Sequence, residues 1–88
     1  MIEDSKICAF LTVVDKGSFT AAAKHLGITQ PAVSAQIASL EASLGLQLFE
    51  RGRELMLSPA GESFLPYARR IQDAYDLANA TFCNIFSK

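Results

Sequence analysis

The segment from Phe19 to Ala38, FTAAAKHLGITQPAVSAQIA, constrains the fold of this chain more strongly than any other feature. Gly27 lies in its middle, where the end of a helix requires a left-handed backbone conformation that glycine adopts without strain. Small or apolar side chains share one helical face on each side of this glycine: Ala22, Ala23 and Leu26 before it, and Ile28, Val33 and Ile37 after it. Because alanines let helices approach closely, the segment predicts two helices joined by a tight turn, a helix-turn-helix.

Capping residues delimit the two helices of this motif. Ser18 is placed to cap the second helix of the chain, which ends near Leu26. Thr29 is placed to cap the third helix, and Pro31 falls in its first turn, where the missing N–H costs nothing. Gly45 ends the third helix. Apolar residues at three- and four-residue steps give this helix a core-facing stripe, Val33, Ile37, Leu40 and Leu44.

A first helix, over about residues 4–16, precedes the motif. Its apolar residues follow the spacing of a single buried face, Ile7, Phe10, Leu11 and Val14. Lys16 and Gly17 end it favourably. We expect this helix to supply core packing.

Two short apolar segments lie between Leu46 and Leu57, on either side of the charged, glycine-containing stretch ERGRE. This pattern predicts a small β-hairpin, which after a helix-turn-helix forms a wing. Two strands this short do not stand alone and must pack on the helices.

A long fourth helix is predicted to begin at Pro59, with Ser58 as its cap, and to continue to about Ile85. Pro66 lies within it and is expected to bend it or to weaken its first two turns. A helix of about 25 residues is nearly 40 Å long, which exceeds the body of so small a domain. Its distal half is therefore expected to bury its apolar stripe against a partner chain.

These elements predict a mainly α fold, in which residues 1–58 form a winged helix-turn-helix of three helices and a β-hairpin wing. Residues 59–88 form a long linker and dimerisation helix. The 88 residues suit one small domain, and a hydrophobic content of 50% argues against disorder. No apolar run approaches the roughly 20 residues that cross a bilayer, and no signal-peptide pattern opens the chain. Cys8 and Cys83 are expected to be reduced thiols, with a disulfide or a redox switch as the alternatives.

Charge and motif content limit the function classes. The net charge of −1 counts against a nucleic-acid partner, although Arg51 and Arg53 concentrate positive charge in the predicted wing. No paired carboxylates, nucleophile–base set, phosphate-cradling glycine loop or metal motif is recognisable, so we expect no catalysis, no cofactor and no metal. His25 has no ligand constellation near it in sequence and is expected to be a surface residue.

The stretches AFLTVVDKGSFTAAAKHLGITQPAVSAQIASLEASLGLQLFER and LSPAGESFLPYARRI resemble the N-terminal DNA-binding domain of LysR-type transcriptional regulators, across nearly the whole chain. The resemblance implies a homodimer, paired through antiparallel linker helices, that sets two recognition helices into successive major grooves of an inverted-repeat operator in double-stranded DNA. Full-length members carry a C-terminal domain that binds a small-molecule effector, and they often assemble as tetramers. This chain is expected to be the DNA-binding fragment of such a bacterial protein, acting in the cytoplasm on the nucleoid.

The resemblance also assigns roles to individual residues. Positions at the front of the recognition helix match Thr29, Gln30, Pro31 and Ser34. By its chemistry, Gln30 can bind adenine through both groups of its amide, Ser34 can bond a base edge or a phosphate, and Pro31 or Ala35 can touch a thymine methyl. Positions near phosphate match Ser18 and Thr20, and the wing arginines match Arg51 and Arg53. Many members carry a basic residue at the positions of Ala35 or Ala38. Both residues are alanine in this chain, so possible phosphate or guanine contacts of the recognition helix are absent.

The fourth helix is expected to form the dimer interface through one apolar stripe: Leu65, Ala68, Ile71, Tyr75, Ala78 and Phe82. Apart from Ala68, these side chains are expected to be buried either between chains or against the body of the domain. Arg69 and Arg70 are expected to be solvated or paired with Asp73 at helical spacing, rather than bound to DNA. Arg51 can instead pair with a neighbouring glutamate on the solvated turn. The alternative function is a winged helix adapted for protein–protein interaction, which the acidic balance and the apolar fourth helix favour.

Overall fold

The structure is a computed structural model that describes residues 5–50, 52 and 55–86, with the backbone alone for residues 82–86. Four helices account for most of the described residues. Helix α1 spans Ser5–Lys16, α2 spans Phe19–Leu26, α3 spans Gln30–Leu44 and α4 spans Pro59–Phe86. The four predicted helices are therefore confirmed. None of these described helices is long and apolar enough to cross a membrane.

The caps that delimit α2 and α3 are those expected from the sequence. The Ala21 N–H donates to Ser18 Oγ at 2.9 Å, and the Ala32 N–H donates to Thr29 Oγ1 at 3.2 Å. Gly27 adopts a left-handed conformation with φ of 71°, as the tight turn between the helices requires. Local hydrogen bonds thus hold the first turns of both helices in place.

The core lies where α1 packs against the other three helices and the wing. Phe10 is fully buried at its centre, with its ring 5.5 Å from the rings of both Phe49 and Phe64. Val33 and Ile37 are buried as expected, but the prediction for Leu44 is wrong, because this side chain is 38% exposed. Leu44 is the last residue of α3, and the core ends one turn before it at Leu40.

Residues 48–50 and 55–58 form the two sides of the wing, which are held together by one antiparallel bridge between Phe49 and Leu57 among the described residues. The Glu50 N–H donates to the Met56 carbonyl at 2.7 Å, and the Ser58 N–H donates to the Leu48 carbonyl at 2.9 Å. Leu48 and Phe49 are both buried. The predicted hairpin is confirmed at its base, where it packs into the core.

Ser58 joins the wing to α4. Its Oγ accepts the Gly61 N–H at 2.9 Å, as expected of the cap, and donates to the Gln47 carbonyl at 2.5 Å. Gly61 packs directly against the wing, because a Cβ there would collide with the Leu48 carbonyl oxygen and lie 2.9 Å from Leu57 Cδ2. A hydrogen-bonded serine and a glycine therefore set how closely α4 approaches the wing.

The substitution Gly61→Ala is expected to destabilise the domain by about 2 kcal/mol, since overpacking against a backbone carbonyl exceeds the gain in helix propensity. Thermal unfolding at fixed protein concentration measures the effect, which corresponds to roughly 10 °C in Tm for a domain of this size. Gly52→Ala is the matched control, because no atom lies within 4 Å of a Cβ at that position. Equal stability of the two variants would contradict the close approach.

Helix α4 continues through Pro66 without interruption. Its 28 residues correspond to about 42 Å, and the molecule extends 47 Å along its longest axis. Phe64 and Leu65 pack against the core, and Ala68 is fully buried in it. Ala68 therefore belongs to the body of the domain and not to a dimer interface, which corrects the expectation from the sequence.

Arg69 forms an ion pair with Asp15 at the end of α1, with 2.9 Å between Nη2 and Oδ1. Asp15 takes the place expected for Asp73 as the ion-pair partner, because the fold brings a carboxylate from a different helix closer, although the charge of Asp73 also acts on Arg69. The hydrogen bond to Asp15, with the charge of that carboxylate, raises the pKa of Arg69. Both side chains are about half exposed, so the pair contributes little stability.

Candidate nucleic-acid interface

A groove of about 810 Å³ lies between the first turn of α2, one face of α3 and the base of the wing. Four of the residues predicted to contact DNA line it, namely Ser18, Thr20, Gln30 and Ser34. These residues come from two helices, and the capped turn at Gly27 brings their first turns side by side. The helix-turn-helix therefore gathers the predicted contact residues on one surface.

The exposed face of α3 begins at its cap and continues for about two turns. Thr29, Pro31 and Ala35 are exposed but do not line the groove, whereas Gln30 and Ser34 are exposed within it. Ala38 also lines the groove. This face carries small and uncharged side chains, so its hydrogen-bonding capacity rests on Gln30, Ser34 and Thr29.

Thr20 and Gln30 contact each other across the two helices. The Thr20 hydroxyl donates to Gln30 Oε1 at 3.3 Å, although both side chains are exposed. Ser18 differs, because its hydroxyl oxygen accepts the Ala21 N–H as the cap of α2. Thr20 and Gln30 are thus partners of each other, whereas the partner of Ser18 is a backbone N–H of its own helix.

The charged residues around the groove are mostly acidic among those that the structure describes. Glu41 and Glu50 line it, and Gly52 in the wing also borders it. Arg51 and Arg53, the predicted wing contacts, lie outside the described residues, so their contact with DNA stays a prediction. The described lining residues therefore offer hydrogen-bonding groups to a ligand but no positively charged side chain.

Glu41 is a site residue that sequence reasoning missed. Its Oε2 accepts the Leu48 N–H at 2.7 Å and the Phe49 N–H at 3.4 Å, so the carboxylate connects α3 to the base of the wing. Its own carbonyl accepts the Gly45 N–H at 2.8 Å, which helps to end the helix. No local sequence signal identifies this role, since the acceptor and its donors are separated by a turn whose path only the fold sets.

The other basic and titratable side chains of the described residues lie apart from the groove lining. Arg70 stacks on its neighbour Tyr67 in α4, with 5.5 Å between its guanidinium carbon and the ring centroid, and His25 is exposed on α2. Among the described residues, no three His, Cys, Asp or Glu side chains cluster as metal ligands.

Comparison with known proteins identifies relatives over most of the chain. The family model described as "Bacterial regulatory helix-turn-helix protein, lysR family" matches residues 5–62. A probable nitrogen assimilation transcriptional activator of Synechocystis sp. is 44% identical over 78 residues, covering 89% of this chain and 25% of that protein. An uncharacterized HTH-type transcriptional regulator of Azotobacter vinelandii is 52% identical over 64 residues, covering 72% of this chain and 44% of that protein. The chain therefore spans less than half the length of these relatives.

Solved structures of DNA complexes match the whole fold. The BenM DNA-binding domain in complex with catB site 1 DNA superposes with a TM-score of 0.86 at 39% identity, covering 99% of both chains. The CbnR DNA-binding domain in its DNA complex gives a TM-score of 0.82 at 37% identity, covering 91% of this chain and 93% of that one.

Proposed function

Because the chain belongs to the LysR family of bacterial helix-turn-helix regulators, we propose that it binds an inverted-repeat operator as a homodimer paired through α4. The groove between α2, α3 and the wing carries this proposal, since it presents Gln30 and Ser34 at the exposed start of the recognition helix. Similarity to two domains solved in complex with DNA supports DNA as the partner. The proposal assigns no reaction to the chain and places its action in the bacterial cytoplasm, on the nucleoid.

The proposed roles within the interface follow from the three elements that supply it, α3, α2 and the wing. Gln30 and Ser34 lie on a helix that is narrow enough to enter the major groove, so they read base edges. Ser18 caps the start of α2, where backbone N–H groups and the helix dipole favour phosphate. Thr20 lies in the same first turn, and its hydroxyl is bonded to Gln30. Arg51 and Arg53 belong to the wing and supply phosphate or minor-groove affinity, while Thr29, Pro31 and Ala35 border the base-reading face.

The dimer surface is proposed for the part of α4 that extends past the body. Ile71 is 37% exposed, and Tyr75 and Ala78 are half-buried in the single chain. Leu65 packs on the core and supports this surface from the domain side. The Phe82 side chain lies outside the described residues, and its place in the interface stays a prediction.

The substitution Ile71→Asp is expected to shift the chain from dimer to monomer, because a buried unpaired carboxylate is strongly unfavourable at an apolar interface. Sedimentation at fixed protein concentration measures the change. Ala80→Asp is the matched control, since Ala80 is exposed and lies nine residues further along, on the opposite side of the helix. A dimer that persists in Ile71→Asp would place the interface elsewhere.

The substitution Gln30→Ala tests base reading and the function itself. On a duplex selected from a random pool by the unmodified chain, it is expected to cost about 1–3 kcal/mol and to relax preference at one base position. Gln36→Ala is the control, because Gln36 lies on the same helix but lines a cavity beside α4 instead of the groove. Equal weakening of selected and random duplexes by Gln30→Ala would contradict base reading.

The same titration, repeated at several salt concentrations, separates the proposal from the alternative of a protein-interaction module. Binding that neutralises phosphates releases counterions, so the affinity falls as salt rises. A module adapted only for protein contact has no affinity for the selected duplex at any salt concentration. The acidic residues Glu41 and Glu50 in the groove favour that alternative. Salt-dependent binding to the duplex would exclude it, and absence of binding at every salt concentration would support it.

Effector binding and tetramer assembly are proposed for a longer regulator, outside these 88 residues. The chain spans 25% of the Synechocystis relative, which is described as a transcriptional activator. A small-molecule effector would therefore act on this module through α4, the element that continues toward the C-terminus.

A further inference from the structure

We propose that Thr20 is a positioning residue that orients the Gln30 amide for base reading, and is not itself a phosphate contact. This inference rests on the function proposed above. Its observation is the hydrogen bond between the Thr20 hydroxyl and Gln30 Oε1, which crosses from α2 to α3 at 3.3 Å.

Both ends of this contact stand on backbone that is held in place. Thr20 lies in the first turn of α2, one residue past its start, and the Ser18 cap secures that turn. Gln30 is the first residue of α3, next to the Thr29 cap. The packed helices therefore set the distance between the two side chains, and a small rotation of either one is enough to keep the bond.

Gln30 has the most to gain from such a partner. Its side chain is long, exposed and rich in rotamers, so an unsupported amide would lose considerable conformational freedom on binding a base. A contact that already selects the bound rotamer lowers this cost, which is the general benefit of preorganisation.

The chemistry of the bond leaves the amide competent to read adenine. The Thr20 hydroxyl occupies one lone pair of Gln30 Oε1, so the second lone pair and both N–H groups of Nε2 remain available. Adenine offers an N6 donor and an N7 acceptor in the major groove, which match these two groups.

Five proteins test the inference: the unmodified 88-residue chain, Thr20→Val, Thr20→Ser, Gln30→Ala and the double variant that combines Thr20→Val with Gln30→Ala. Valine keeps the branched shape without the hydroxyl, whereas serine keeps the hydroxyl. The probes are a duplex selected from a random pool by the unmodified chain, its single-base variants and a random duplex. Unfolding midpoints verify that each variant is folded, which the exposure of Thr20 predicts.

We expect Thr20→Val to reduce discrimination about three- to tenfold at the base position that Gln30→Ala relaxes, the range for loss of one neutral hydrogen bond. Discrimination at the other positions is expected to be unchanged, and Thr20→Ser is expected to retain the unmodified profile. When Gln30 is already alanine, adding Thr20→Val is expected to change discrimination no further, because the group that it orients is gone.

Two results would overturn the inference. Uniform weakening of selected, variant and random duplexes by Thr20→Val would make Thr20 a phosphate contact, and an unchanged profile would make the bond irrelevant to reading. The Gln30→Ala arm keeps the two proposals distinct. If it relaxes one position while Thr20→Val does not, only the role of Thr20 fails; if it relaxes none, the base-reading role of Gln30 fails first.

Discussion

Removing one half of the proposed inverted repeat is expected to weaken specific binding by about 10²–10⁴-fold, more than any single base change. The recognition helix α3 contains no Lys or Arg, and the net charge of the chain is −1. The sequence-independent electrostatic attraction of this chain to DNA is therefore expected to be weak. Random duplex should bind with a Kd near the ~10⁻⁴ M end of the usual non-specific range. Affinity then depends on linkage, which makes the second half-site contact intramolecular.

Titration of the dimer against whole, half and random duplexes at physiological salt measures this dependence. Ile71→Asp supplies the control, because a monomer should bind whole and half sites with nearly equal affinity. Submicromolar binding to random duplex would contradict the prediction, since it would require a basic surface built from residues outside α3, such as Lys16, Lys24 and Arg70.

Phe10→Ala is expected to cost about 3–5 kcal/mol of folding free energy, the range for truncating a fully buried phenylalanine. The ring of Phe10 contacts Phe49 of the wing and Phe64 of α4, so its removal leaves a cavity where three elements meet. At such a junction no single neighbour can move to fill the space without displacing another. Chemical denaturation at fixed protein concentration measures the loss.

Tyr67→Ala is the matched control for this core substitution. Tyr67 is another aromatic residue, but it is 60% exposed on α4 and its described ring contact is with Arg70. Its truncation is expected to cost within about 1 kcal/mol. A loss for Phe10→Ala as small as that for Tyr67→Ala would show that the ring does not hold the wing and α4 together.

The elements that depend on short-range interactions were predictable from the sequence. Ser18, Gly27 and Thr29 act on backbone groups within four residues, so their effect can be recognised without knowing the fold. The same holds for the buried face of α1 and for the start of α4 at Pro59. The family was recognisable for a related reason, since its motif combines these local signals at fixed spacing.

The candidate site was predictable in its members but not in its connections. Ser18, Thr20, Gln30 and Ser34 were identified from their places in the motif, and the structure brings them to one groove. The hydrogen bond from Thr20 to Gln30 was not foreseen, because each side chain alone is typical of an exposed helix start.

Long-range contacts were decided only by the tertiary structure. Arg69 pairs with Asp15 across 54 positions in place of Asp73 on its own helix, and Glu41 accepts hydrogen bonds from the base of the wing. Ala68 fits the same helical stripe as Ile71, yet the core buries Ala68 and leaves Ile71 partly exposed. Helical periodicity shows which side chains share one face of α4, but it does not show at which residue of that face the packed body of the domain ends. The sequence thus determined the local elements and the family, whereas packing decided which side chains meet, because those distances depend on how all four helices are arranged.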